Sequence, residues 1–104
     1  MATKLKKMFQ KKERRLNTMI KIYYISASWC GPCKVFKPIV TQFFEEHAGQ
    51  IESSILDAED EIVKQLQVKS VPTIIFFKDN KEITRVSGVQ SKNKLEQLLD
   101  EASI

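Results

Sequence analysis

The sequence predicts a single α/β domain, a mixed four-stranded sheet flanked by helices. Three observations carry that expectation. Short apolar runs rich in β-branched and aromatic residues, Ile20–Ile25 and Val71–Phe77, alternate with stretches of helical period. Asp79-Asn80 is a tight-turn signal between two strand-like runs, which makes that pair antiparallel. At 104 residues the chain has the size of one domain, large enough to bury roughly 65% of the surface its unfolded form exposes.

Composition sets further bounds. Hydrophobic content is 42% and charged content 29%, the balance of an ordinary globule. No run of about 18 apolar residues occurs, so no membrane span is expected. The first 18 residues lack an apolar signal-peptide core, and a cytoplasmic location is the expectation. The net charge of +4 is uneven: residues 1–21 hold eight Lys/Arg against Glu13, whereas the remainder holds nine against twelve acids. The basic character therefore belongs to the N-terminus and not to the body.

Taken in order, residues 3–16 read as a basic amphipathic helix, with Leu5, Met8, Phe9 and Leu16 as a narrow stripe that Lys12 interrupts. The favoured reading is a helix packed on the domain through that stripe, with residues 1–18 set apart from a body of residues 19–104. Binding to an anionic surface, nucleic acid or membrane, and organelle targeting, are the sharper alternatives. Nucleic acid is disfavoured because no aromatic platform interleaves the basic residues.

Ile20–Ser26 is a buried central strand. Cys33–His47 is a long helix whose Phe36, Ile39, Val40, Phe43 and Phe44 form one apolar face, with Pro38 as a kink and Gly49 as a stop. His47, near its end, reads as a surface or capping residue. Ile51–Leu56 is a second strand. Asp57–Val68 is a short helix with Ile62, Val63 and Leu66 inward. Val71–Phe77 is a third strand, and Pro72 must sit at its beginning because proline breaks a ladder. Glu82–Ser87 is the fourth. Ser91–Ala102 is the last helix, with Leu95, Leu98, Leu99 and Ala102 facing the core.

The chemistry concentrates at Trp29-Cys30-Gly31-Pro32-Cys33, where the central strand gives way to the long helix and where both cysteines of the chain lie. Two thiols at this spacing on a first helical turn can form and break a disulfide. A free thiol has a pKa of about 8.5, and the unpaired N–H groups of a helix N-terminus lower it by favouring the thiolate. Cys30 is expected to attack from the exposed edge of the turn, and Cys33, one turn in and partly buried, to resolve. Gly31 lets the chain turn tightly, Pro32 suits a first turn that needs no N–H there, and Trp29 offers a flat apolar surface to a substrate chain. A zinc site is disfavoured: zinc wants four ligands, and beyond the pair the chain offers only His47. Lys34 and Lys37 either help hold the thiolate or form the wet face of the helix, and the second reading is favoured.

The segment Trp29-Cys30-Gly31-Pro32-Cys33-Lys34 resembles the active-site motif of the thioredoxin family. Pro38 matches a proline inside the family's following helix, Val71-Pro72-Thr73 resembles its cis-proline segment, and Gly88 falls where a rim glycine is expected. The resemblance runs from about Ile20 to Ala102. It implies a thioredoxin-like fold and reduction of disulfides in protein substrates, with electrons from a thioredoxin reductase and no cofactor or metal in the chain itself, acting as a monomer. It also implies a cis Val71–Pro72 bond that sets the Val71 backbone beside Cys30, where an extended substrate can pair with it. Gly88 would lie where a side chain crowds the active-site rim.

Two positions depart from the family. Tyr24 stands where it carries a buried aspartate, with no partner lysine near Ser53, and Ser26 replaces an aromatic. A tyrosine, with a pKa near 10, cannot take the proton of the second cysteine at neutral pH, so Tyr24 is expected to fill core space while proton transfer is lost. Glutaredoxin-like or oxidising exchange, and a non-catalytic binding subunit, are the alternative readings.

Overall fold

The computed structural model describes residues 19–104; the expected helix over residues 3–16 lies outside them. Four strands form one sheet in the order β2-β1-β3-β4: β1 Ile20–Ser26, β2 Ile51–Asp57, β3 Thr73–Lys78 and β4 Lys81–Ser87. β1 pairs β2 in parallel, with Ile20 beside Ile51 and Ser26 beside Asp57, and pairs β3 antiparallel, with Ile25 beside Thr73. β1 is therefore hydrogen-bonded along both edges. The parallel step from β1 to β2 is crossed by helix α1, Gly31–Glu46; helices α2, Glu61–Gln65, and α3, Lys92–Ser103, complete the fold. The architecture is the expected α/β thioredoxin-like one.

Alternation along the strands divides the core between two faces. On one face Ile20, Ile22 and Tyr24 of β1 and Ile74 and Phe76 of β3 pack under α1 and α3. Phe36, Val40, Phe43 and Phe44 of α1 and Leu95, Leu98, Leu99 and Ala102 of α3 are all buried there, as the helical spacing predicts. The other face is thinner. Ile25, Ile75 and Val63 are buried, but Tyr23, Leu56, Leu66 and Phe77 are only partly covered.

The elements differ from expectation in several places, among them β3, which begins at Thr73 and leaves Val71 and Pro72 before the strand. α2 is a short helix inside the predicted Asp57–Val68; Val63 is buried and Leu66, its cap, packs partly against the same cluster, but Ile62 is exposed. Its first residues are diverted into side-chain turns, since Asp60 accepts the Asp57 amide and Asp57 accepts the Glu59 amide. Gln67, at φ 56°, then ends it in a left-handed residue. α1 stops at a His47 cap with φ −116°, so Gly49 contributes no left-handed stop. α1 also begins at Gly31, two residues before the predicted start. Asp79 and Asn80 both adopt positive φ, 55° and 65°, as a two-residue hairpin between right-twisted strands requires.

Candidate functional site

β1 ends at Ser26, whose carbonyl accepts the Ala58 amide at 2.8 Å, and the chain turns at once, with the Cys30 amide donating to the Ala27 carbonyl at 3.1 Å. That turn delivers Cys30 to the N-cap of α1 in extended conformation, φ −94° and ψ 113°. Its Sγ accepts the Cys33 amide at 3.1 Å. A sulfur thus fills the place that a serine or aspartate oxygen takes at other helix starts, and satisfies one of the orphan donors there. Pro32 lies in the first turn and forfeits no bond.

Cys30 and Cys33 form a disulfide, with Cα atoms 5.3 Å apart. The pair sits in a small apolar cluster with Ala27, against which Ala58 and Val71 pack. One expectation fails here. Cys30 does not project from the exposed edge of the turn: it is 5% exposed, close to the 3% of Cys33. The cap bond turns its sulfur back onto the helix, and Ala27 and Val71 cover it. What lies open is the flank, with Trp29 70% exposed and Gly31 and Pro32 also at the surface.

Gly31 has no left-handed φ, and a Cβ there would meet nothing within 4 Å, so neither the turn nor crowding demands glycine. Gly88 likewise has open space around a Cβ, which overturns the crowding expectation. Its requirement is backbone geometry, a φ of +88°, from which its amide donates to the Pro72 carbonyl at 2.9 Å. The Val71–Pro72 bond is cis, and Pro72 is fully buried. Thr73 secures this loop: its Oγ1 donates to the Ser70 carbonyl at 2.8 Å and lies 3.0 Å from the Ser87 Oγ. Ala27, Ala58 and this Thr73 network escaped the sequence reading. A lone polar residue opening an apolar strand is the one signal that pointed to Thr73.

Tyr24 is fully buried beneath the pair. Its ring meets Phe36 edge to face at 5.6 Å, and its hydroxyl donates to the Cys33 carbonyl at 3.0 Å. Burial pushes its pKa above the usual tyrosine value, so it stays a neutral donor. Lys34 and Lys37 are exposed on the outer side of α1. His47 is carried to the far end of α1, where it joins Glu46 and Glu96 rather than the cysteines. Its Nε2 is 2.8 Å from Glu96 Oε1 and its Nδ1 is 3.0 Å from Gln50 Oε1.

A pair of sulfurs that the backbone both positions and polarises, where a central strand hands over to a helix, defines a thiol–disulfide oxidoreductase. The thioredoxin family model matches residues 2–101. Thioredoxin from Staphylococcus haemolyticus is 30% identical over 90 residues, covering 85% of this chain and 86% of the relative. That of Alicyclobacillus acidocaldarius is 36% identical over 77 residues, 71% of this chain and 73% of the relative. Among solved structures, Fasciola hepatica thioredoxin superposes with a TM-score of 0.74 at 27% identity, over 97% of this chain and 93% of that one. The germline-specific Drosophila thioredoxin Deadhead, at 21% identity and TM-score 0.73, over 89% of this chain and 90% of that one, shares the fold. The chain belongs to the thioredoxin family, with Cys30 and Cys33 as its redox pair. Among the described residues no helix is long and apolar enough to cross a membrane.

Proposed function

We propose that this thioredoxin reduces disulfides of protein substrates, with Cys30 as nucleophile and Cys33 as resolving thiol. The observation that carries the assignment is the Cys33 amide aimed at the Cys30 sulfur at 3.1 Å. That N–H, with the N-terminal dipole of α1, favours negative charge on Cys30 and offers Cys33 no equivalent. The Cys30 thiolate attacks one sulfur of a substrate disulfide, forming a mixed disulfide and expelling the other substrate sulfur as thiolate. Cys33 then loses its proton and attacks the Cys30 sulfur. The second substrate thiol leaves, and the chain ends as the Cys30–Cys33 disulfide, two electrons having passed to the substrate. A thioredoxin reductase returns them.

Substrate docks on exposed Trp29, Gly31 and Pro32 and lies along the Val71-Pro72 segment and the Gly88 rim. Val71 supports this role because it packs on the cysteine cluster. Among the described residues, no turn or loop hydrogen bond uses its backbone N–H or C=O. Those groups are free to pair with an extended peptide, which reads backbone rather than side chains and favours a broad substrate range. Tyr24 and Lys34 modulate the pair from below and beside it. The protein works as a cytoplasmic monomer. Residues 1–18, whose sequence reads as a basic amphipathic helix, lie outside the described residues.

Insulin reduction tests the assignment. Wild type should turn over with reductase, and Cys30→Ser should not; a serine variant that kept the biological role would make the chain a binding module. Equilibration with glutathione separates reducing from oxidising roles. A potential near that of thioredoxins generally, roughly −270 mV, fits a reductant, and one above roughly −200 mV fits the alternative.

A further inference from the structure

Tyr24 is the one buried hydroxyl-bearing ring in the described structure that reaches from the central strand to the redox turn, spanning nine residues of sequence to the Cys33 carbonyl. That carbonyl does not need a second donor for satisfaction. The helical register of α1 already offers it the Lys37 N–H, because the proline of this helix falls one residue later. The extra bond therefore fixes rather than satisfies. It pins the peptide plane that follows Cys33, while the ring of Pro32 stiffens the backbone that precedes it. Between those two anchors lies the Cys33 N–H, which points at Cys30 Sγ.

The geometry points to Tyr24 as a positioning residue: through its hydroxyl it holds Cys33 so that the Cys33 amide stays aimed at the Cys30 sulfur, and thereby stabilises the attacking thiolate. This rests on the assignment of Cys30 as nucleophile. Tyr24 touches neither sulfur and moves no proton. A thiolate gains more from an aimed donor than a thiol or a disulfide does, so the effect falls on the charged, reactive state.

Uncharged side chains make up most of the surroundings of Cys30. Ala27, Ala58 and Val71, which pack on the pair from three segments, carry no charge, and Cys33 and Tyr24 are its titratable neighbours from α1 and β1. Lys34 on α1 and Asp57 at the end of β2 are exposed charges on the flanking elements.

The test is the pH profile of Cys30 alkylation in the reduced full-length protein, wild type against Tyr24→Phe. The phenyl ring keeps its contact with Phe36, and the Cys33 carbonyl keeps its helical donor, so the fold stands; thermal melting verifies it. The midpoint is expected to rise by about half a unit in Tyr24→Phe, a roughly threefold smaller thiolate fraction below the midpoint, with a matching fall in the rate of mixed-disulfide formation there. A lowered midpoint in wild type that is unchanged in Tyr24→Phe overturns the positioning role and leaves the nucleophile assignment intact. A wild-type midpoint at the ordinary cysteine value of about 8.5 overturns the nucleophile assignment itself.

Discussion

Replacing Cys30 with serine removes the sulfur that receives the Cys33 amide and leaves Cys33, only 3% exposed, as the single thiol. Disulfide reduction should fall at least about a hundredfold, measured as insulin turnover, because a buried thiol with no aimed donor attacks poorly. Tyr24 makes the opposite kind of prediction. It stays neutral across the working range, so it cannot accept the proton that Cys33 must lose. Tyr24→Asp should speed resolution by Cys33 near neutral pH in single-turnover experiments; superimposable pH profiles for the two proteins would refute the lost proton transfer. The two cysteines were legible in the sequence from their spacing and type, and the departure at Tyr24 from the family resemblance. The burial of Cys30 was not. It depends in part on Val71, which packs on the cysteine cluster from more than forty residues away, a contact that no local pattern encodes.

The elements whose apolar period was strong, α1, α3 and the strands, lie within two residues of where the sequence placed them, because burying such a face leaves one orientation. α2 shrank because Asp57 and Asp60 use their side chains to turn the backbone, a competition that hydrophobic spacing does not register. The crowding reason expected for Gly88 fails, because a Cβ there meets open space, and its positive φ is what favours glycine. Gly88→Ala should cost about 1–2 kcal/mol in urea titration, the cost of a left-handed non-glycine residue, without a steric clash at the rim. At the other end of α1, His47 ties that helix to α3. Burial alone lowers its pKa, but the hydrogen bonds to Glu96 and Gln50 outweigh it and leave the pKa raised. A raised folded pKa stabilises below the unfolded value of about 6.5 and loses that contribution as pH climbs through the folded one. Glu96→Gln should therefore destabilise the fold more at pH 5.5 than at pH 8.5, by no more than about 1 kcal/mol, measured by urea titration at each pH. An equal loss at both values would contradict the link.

Across the whole molecule, charge and chemistry are segregated. The basic residues gather before residue 22, whereas the remaining chain carries nine basic residues against twelve acids. The redox pair follows the carboxyl end of β1, one of the two strands hydrogen-bonded on both sides, so it is mounted on a constrained part of the sheet. The face under α1 and α3 is closed, and the other is only partly covered. Deleting residues 1–18 should leave insulin reduction in place, because the redox pair and the residues packed on it all lie beyond residue 26. Loss of reduction in a folded truncated protein would assign those residues to the active site instead.

The most direct test of the central claim is trapping. With Cys33→Ser, a protein disulfide substrate should accumulate as a stable adduct on Cys30, located by peptide mass spectrometry, whereas Cys30→Ser should yield none. An adduct on Cys33 in the second variant, or no adduct on Cys30 in the first, would contradict the assignment of the attacking sulfur.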